Sequence, residues 1–246
     1  MKITDGIEML SLEYQVSGQK IVLNPTLLWD EEAAILVDTG MPGALHNVSD
    51  AIKSTGLSFG RLKNVILTHQ DLDHIGNLPD LINESKGTIR VSAHKLDQPY
   101  IEGSLPLIKT DAKRMSKEFL ASLPEHARAL YYNPPVSKVD ETIEDGEELP
   151  YCGGVRVIHT PGHTPGHLCL YVKQSKVLIA GDALVCSEGT LRGPVEQTTL
   201  DMGMAYRSLD KLLDLEIDTI ICYHGGVCSA NAKDQLHDLI RAHANT

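Results

Sequence analysis

An apolar run that passes directly into a cluster of histidines and aspartates, LKNVILTHQDLDH at residues 62–74, decides the fold class. Residues 62–68 are mostly apolar or β-branched, which is typical of a buried strand. The next residues place four polar side chains within six positions, at the start of a predicted helix over 75–84. A loop between a strand and a helix can turn such side chains to one side, whereas a regular strand alternates them. The stretch predicts a strand–loop–helix unit with its chemistry in the loop.

The polar residues of this loop are His69, Asp71, Asp73 and His74. Imidazole nitrogens and carboxylate oxygens are the ligands that Zn²⁺, Mn²⁺ and iron accept. A polar helix cap is the alternative interpretation, because Asp71 or Asp73 would satisfy free amides at the start of the helix. A cap needs only one such residue, so four of them favour a metal site.

Four more polar residues follow other predicted strands, each close to a glycine. They are Asp38 in VDTG (37–40), His163 in the tandem TPGHTPGH (160–167), Asp182 in AGDA (180–183) and His224 in YHGG (223–226). Taken singly, each is also compatible with an ordinary turn, and TPGH with a surface turn. Together they indicate a shared site, because strand ends in stacked sheets can meet at one edge.

The remaining pattern predicts strands and then helices, twice over. Predicted strands cover 7–16, 20–29, 33–37, 62–68 and 88–92, then 155–160, 168–173, 177–180 and 219–223. Ser17-Gly18 marks the first turn. Helices are predicted before residue 55 and over 75–84, 202–215 and 229–242. The segment 97–132 is predicted to be a helical insertion, either a lid or substrate wall or a connection without a functional role. This order predicts two mixed sheets face to face with helices outside, in a single domain over residues 1–246.

Composition restricts the classes of partner. The formal net charge of −11 argues against a nucleic-acid partner, since phosphates require Lys and Arg neutralisation. No apolar stretch approaches the ~18–20 residues that span a bilayer, so no membrane partner is expected. The chain has five cysteines without a CxxC pair, which favours reduced thiols and a cytoplasmic location.

The ordered set VDTG, THxxxDH, TPGH, GDA and HGG resembles the metallo-β-lactamase superfamily, over residues 37–226. The resemblance implies an αββα sandwich with a binuclear metal site at one edge of its sheets. It implies that His69 and His163 bind the first metal, that Asp73, His74 and His224 bind the second, and that Asp182 bridges both. Asp38 would support the site by orienting a ligand.

One residue departs from the family pattern. The usual run is His-x-His-x-Asp-His, and Asp71 stands here in place of the second histidine. We keep Asp71 as a ligand of the first metal. The added carboxylate makes the site harder, so Mn²⁺ and Fe²⁺ become alternatives to Zn²⁺ as the two divalent ions. His167, in the second TPGH unit, is expected to hydrogen-bond the loop rather than bind metal.

The resemblance implies a metal-dependent hydrolase. Two metal ions about 3.5–4 Å apart would make a bridging water acidic enough to supply hydroxide. Asp73 would be the catalytic residue that orients the nucleophile and passes a proton to the leaving group. The expected substrate is a small ester, lactone or thioester, and a homodimer remains an option. Two alternatives stay open: a mononuclear iron persulfide dioxygenase of the same fold, and a non-catalytic ligand-binding protein.

Overall fold

A computed structural model describes residues 1–16 and 19–244, so the predicted turn at Ser17-Gly18 lies outside the described residues. The strands in chain order are β1 (Lys2–Thr4), β2 (Ile7–Met9), β3 (Leu12–Val16), β4 (Gln19–Leu23), β5 (Thr26–Trp29), β6 (Ala34–Val37), β7 (Leu62–Ile66), β8 (Arg90–Ala93), β9 (Glu141–Thr142), β10 (Glu148–Leu149), β11 (Val155–His159), β12 (Leu168–Val172), β13 (Val177–Ile179), β14 (Val185–Ser187), β15 (Thr190–Arg192), β16 (Thr219–Cys222) and β17 (Gly226–Cys228). The α-helices are α1 (Leu45–Ser54), α2 (Leu72–Ile75), α3 (Leu78–Glu84), α4 (Gln98–Ile101), α5 (Lys117–Ser122), α6 (Glu125–Tyr132), α7 (Met202–Leu209) and α8 (Ala232–Ala244).

Two mixed sheets form the centre of the molecule, as predicted. The first has the strand order β1-β2-β5-β6-β7-β8-β9, and the second has the order β10-β11-β12-β13-β16-β17. Strands β6, β7, β8 and β9 are parallel to one another, and β13 is parallel to β16. The other pairings in both sheets are antiparallel. The crossovers between parallel strands leave room for helices on the outer faces.

The core consists of three apolar layers, which follow from the alternation of side chains along each strand. In β6, Ile35 and Val37 face the layer between the two sheets, whereas Leu36 packs on the outer side with Val48 and Ile52 of α1. The second sheet alternates in the same way and buries its outer face under α7 and α8. Helix, sheet, sheet and helix therefore stack in that order, and the αββα sandwich is confirmed.

The predicted strands over 7–16 and 20–29 were wrong in extent, because each divides in two. Their inner halves, β3 and β4, leave the main sheet and, among the described residues, form a separate two-stranded hairpin sheet. Pro25 lies at one break, where it lacks the N–H that a continuous ladder would need. Its carbonyl instead accepts the Leu10 N–H at 2.8 Å. Leu23, at the end of the hairpin, forms an isolated bridge with His224, so the hairpin adjoins a predicted ligand.

Two predicted helices also differ in detail. The helix expected over 75–84 begins earlier, at Leu72, and breaks before α3, which has a proline in its first turn. The helix expected over 202–215 ends as α7 at Leu209 and continues as a short 3₁₀ helix, Asp210–Leu212. The segment 97–132 is helical as predicted, with α4, α5 and α6. In the described ranges, no helix is long and apolar enough to cross a membrane.

Candidate metal centre

The predicted ligands lie at one edge of the sandwich, because the strands that carry them all end there. Asp38 follows β6, and the loop that begins at Thr68 follows the parallel strand β7. His163, Asp182 and His224 follow β11, β13 and β16. These three strands run in one direction, since β12 is antiparallel to both β11 and β13, and β16 is parallel to β13. The topology therefore gathers residues that are far apart in the sequence.

The first ligand group consists of His69, Asp71, His163 and Asp182, whose donor atoms lie within 4.8 Å of one another. The Oδ2 atom of Asp71 is 3.2 Å from His69 Nε2 and 3.0 Å from His163 Nε2. His163 Nε2 also lies 3.3 Å from Asp182 Oδ2. These side chains are almost entirely buried, so their charges interact with little screening by solvent.

The second ligand group consists of Asp73, His74 and His224, again within 4.8 Å. His224 Nε2 lies 3.3 Å from Asp73 Oδ2 and 3.3 Å from Asp182 Oδ2. The other oxygen of Asp182, Oδ1, is 3.2 Å from His74 Nε2. Asp182 thus contacts both groups, in the position expected of a bridging carboxylate. The structure brings together all seven residues that the motifs predicted.

The residues present fit bound metal cations. Three buried atoms that face the site have no hydrogen-bond partner: His69 Nε2, His74 Nε2 and Asp182 Oδ1. Buried polar atoms without a partner cost free energy, which a bound cation would remove. The donors are imidazole nitrogens and carboxylate oxygens, the set that Zn²⁺, Mn²⁺ and Fe²⁺ accept.

The carboxyl groups of the centre are held in the ionised form that a cation requires. Burial on its own would raise the pKa of Asp182, but His74 and His224 outweigh burial and hold that pKa well below its usual range. Burial likewise acts to raise the pKa of Asp71, and the imidazole of His69 is the largest of the effects that lower it well below the usual value. The centre therefore presents concentrated negative charge.

For His224, neighbouring charges raise the pKa instead of lowering it. Burial acts to lower the pKa of His224, but the carboxylates of Asp182 and Asp73 overcome burial and raise it to about 10. In the metal-free protein, His224 therefore carries a proton at neutral pH. A cation bound by His224 must displace this proton, so metal binding competes with protonation.

Asp38 orients two imidazoles, that of His74 directly and that of His69 through Thr68. Thr68 donates its backbone N–H and its hydroxyl to the two oxygens of Asp38, both at 2.8 Å. His74 Nδ1 donates to Asp38 Oδ2 at 2.9 Å. Because the Thr68 hydroxyl donates to Asp38, it accepts from His69 Nδ1 at 3.0 Å. Both imidazoles thus donate a proton from Nδ1, which leaves Nε2 facing the site.

The second TPGH unit supports the site, because His167 hydrogen-bonds the motif loops through both ring nitrogens, as expected. His167 Nε2 accepts the backbone N–H of Asp182 at 3.0 Å, and its Nδ1 is 2.8 Å from the Thr160 hydroxyl. Gly166 approaches Asp97 so closely that an added Cβ would lie 2.7 Å from the Asp97 backbone nitrogen. The tandem repeat therefore has two roles: the first unit brings His163, and the second fixes the loop around it.

The sequence analysis missed Asp97, a buried carboxylate that ties the two ligand loops together. It accepts the backbone N–H of Gln70 at 3.0 Å and the side-chain amide of Gln70 at 3.2 Å. From the TPGH loop it accepts the Thr164 hydroxyl and the Gly166 N–H, each at 2.8 Å. Asp97 stands alone at the start of the helical insertion, with no motif around it that would have revealed this role.

The sequence analysis also missed Lys109, which reaches the centre from the insertion. Its Nζ lies 2.6 Å from Asp71 Oδ2 and 2.8 Å from His163 Nε2. The neighbouring Ile108 N–H donates to the side chain of Gln70 at 3.0 Å, which holds this part of the insertion against the motif loop. The insertion therefore contributes directly to the site.

Comparisons with known proteins agree with this geometry. The family model described as the metallo-beta-lactamase superfamily matches residues 22–224. A probable metallo-hydrolase of Bacillus subtilis, YflN, is 33% identical over 206 residues, which cover 78% of this chain and 75% of that protein. The hydroxyacylglutathione hydrolase GloC of Haemophilus influenzae is 29% identical over 214 residues, covering 80% and 82%. A metallo-beta-lactamase family protein from Thermus thermophilus superposes with a TM-score of 0.73 at 23% identity, covering 99% of this chain and 81% of that one.

The chain belongs to the metallo-beta-lactamase superfamily. Within it, the chain is a metal-dependent hydrolase, in line with the metallo-hydrolases among its relatives.

Proposed function

We propose that this chain is a binuclear hydrolase that cleaves a small ester, lactone or thioester. The observation that carries the proposal is Asp182, whose carboxylate lies within 3.3 Å of His163 in the first ligand group and of His74 and His224 in the second. A carboxylate shared in this way suits two cations held side by side. Zn²⁺ is the favoured metal, with Mn²⁺ and Fe²⁺ as alternatives because three aspartates surround the centre.

The first ligand group would hold one cation, and the second group would hold the other, with Asp182 between them. When bound, two cations supply a water of near-neutral pKa as nucleophile and polarise the carbonyl oxygen of the substrate. Asp73 lies beside this position and is 28% exposed at its side chain, so it can take a proton from the water and deliver it to the leaving oxygen or sulfur. The net reaction adds water across the acyl bond and yields an acid and an alcohol or thiol.

Substrate would approach from the side of the second ligand group. The side chain of His224 is 36% exposed, whereas those of His69 and His163 are at most 2% exposed. The thioester option gains support from GloC, which is named for hydrolysis of a thioester of glutathione. We further propose a small-molecule substrate and no nucleic-acid partner, because the net charge is −11. The five free thiols favour a cytoplasmic location.

Metal analysis combined with an activity panel tests the proposal. Protein purified without chelator is analysed by elemental mass spectrometry and assayed on esters, lactones and thioesters. We expect two divalent metal ions per chain, with turnover of at least one of these substrate classes. One iron per chain together with oxygen uptake in the presence of a persulfide would instead establish the dioxygenase alternative. A metal-replete protein without turnover in any class would point to the non-catalytic ligand-binding alternative.

A further inference from the structure

Lys109 places an ammonium group where it competes with a cation for two members of the first ligand group. Its Nζ is 2.6 Å from Asp71 Oδ2 and 2.8 Å from His163 Nε2, and these two acceptors are 3.0 Å from each other. Both contacts are ordinary hydrogen-bond distances. A lysine ammonium has three N–H donors and no acceptor, so it is the donor in both contacts.

The contact with His163 excludes a metal bond to the same nitrogen. The other ring nitrogen of His163, Nδ1, lies 3.3 Å from the Thr199 hydroxyl and carries the ring proton when Nε2 accepts from Lys109. A neutral imidazole has one in-plane lone pair at its unprotonated nitrogen. That lone pair can point to the lysine or to a cation, but not to both. A cation in the first position therefore has to displace Lys109 from His163.

No described lysine or arginine contacts the second ligand group, so a cation there competes only with protons on the imidazoles. In the described part of the chain, the ion pairs of Asp73, His74 and His224 are made with one another and with the carboxylates of Asp182 and Asp38. His69 Nε2 in the first group and His74 Nε2 in the second are both buried without a hydrogen-bond partner, so the two groups differ in the lysine contact and not in these nitrogens. The two metal positions thus differ in the free-energy cost of binding a cation, although they share Asp182.

We propose that Lys109 is an internal competitor for the first metal position, so that the second position fills first and the first position binds its cation more weakly. This inference rests on the proposed binuclear site and adds an order of filling set by the insertion. The side chain of Lys109 is 20% exposed, so its ammonium has a path to solvent. Its backbone neighbour Ile108 stays hydrogen-bonded to Gln70, so the side chain can leave without unfolding the insertion.

The test is calorimetric titration of metal-free protein with Zn²⁺, comparing wild type with Lys109→Met. Methionine keeps a long unbranched side chain but has no ammonium. Lys113→Met is the matched control, because Lys113 is an exposed lysine of the same insertion and its removal changes the net charge equally. We expect two binding steps in wild type, and in Lys109→Met a weaker step that is strengthened about tenfold, or ~1.4 kcal/mol. The stronger step should be unchanged, which also shows that the variant is folded.

A second readout follows the lysine itself. Wild-type protein is treated briefly with acetic anhydride, and acetylation of Lys109 is measured by mass spectrometry at zero, one and two equivalents of Zn²⁺. We expect labelling of Lys109 to rise only with the second equivalent, while labelling of Lys113 stays constant. The inference is overturned if Lys109→Met leaves the weaker step unchanged or weakens it, although both proteins bind two ions. If neither protein binds a second ion at saturation, the binuclear proposal fails together with this inference.

Discussion

The two ligand groups share Asp182 but are built in different ways. The second group consists of motif residues alone, and it opens to solvent through the half-exposed His224. The first group is buried and depends on parts of the chain that lie far from its motifs. Lys109 contacts two of its members, and Asp97 holds the two loops that carry them.

Because of this difference, the second group is the one expected to recruit metal, whereas the occupancy of the first group is adjusted by the insertion. Each group has an orphaned imidazole nitrogen, on His69 and on His74, but in the part of the chain that the structure describes only the second group has no lysine contact. The first group already has a positive charge from Lys109, so its occupancy depends on the insertion. Variation in an insertion can therefore change metal occupancy without any change in the ligands themselves.

The largest effect is expected where the two groups meet. Asp182→Ala removes the only carboxylate that contacts imidazoles of both groups in the described structure. We expect hydrolysis to be abolished and the metal content to fall at both positions, as measured by elemental mass spectrometry and by turnover. Asp214→Ala, which removes an exposed carboxylate, should change neither quantity. Unchanged metal content and turnover in Asp182→Ala would contradict the bridging assignment.

A smaller effect is expected from the support that both groups have in common. Asp38→Asn weakens the acceptor for His74 Nδ1 and for the Thr68 hydroxyl, which in turn accepts from His69. We expect metal affinity to fall about 10–100-fold, since such hydrogen bonds orient ligands and raise their basicity. Titration calorimetry measures the affinity, with the exposed Asp50→Asn as control. If Asp38→Asn bound metal like wild type, the orientation of His69 and His74 would not depend on this carboxylate.

The Asp97→Asn variant is expected to affect the two ligand groups unequally, because Asp97 holds the loops that carry the first group. The buried carboxylate accepts four hydrogen bonds from Gln70, Thr164 and Gly166. An amide can accept through only one of its two terminal atoms, so we expect a loss of about 2–3 kcal/mol in the free energy of unfolding. In the folded variant, the weaker metal-binding step should lose more affinity than the stronger one. Equal losses of metal affinity in both steps would mean that Asp97 stabilises the whole edge of the sandwich rather than the first group. The control is Asp80→Asn, which changes an exposed aspartate.

The ligands could be predicted from the sequence because each follows a strand within a short motif. Strand ends meet at one edge once the sheets form, so the order of motifs was sufficient to predict that these residues lie together. Lys109 and Asp97 could not be predicted, since they contact the motif loops only through folding of an insertion without a readable pattern. The β3–β4 hairpin was missed for a related reason. Its apolar residues continue the alternation of the neighbouring strands, and only the breaks around Leu10 and Pro25 separate it from the main sheet.

The smallest effect on stability is expected from a contact between two histidines, one from each half of the chain. The ring of His94, which follows β8, stacks on His159 of β11 with centroids 4.0 Å apart, and His159 donates to the Pro165 carbonyl of the TPGH loop. Burial, and then the proximity of His159, lower the pKa of His94 to about 4. Between pH 6.5 and pH 4 the unfolded chain therefore binds a proton at His94 that the folded protein does not, so stability falls as the pH falls through this window.

His94→Gln should remove this part of the pH dependence. We expect wild type to lose about 1–2 kcal/mol more unfolding free energy than His94→Gln between pH 7 and pH 5, as measured by urea denaturation. The control is His126→Gln, which replaces a histidine on the protein surface and should leave the pH dependence of wild type unchanged. Identical slopes for wild type and His94→Gln would show that His94 takes up its proton in the folded state as readily as in the unfolded chain. The acid sensitivity of the fold would then have to come from other groups, such as His167, whose pKa burial lowers well below its usual value.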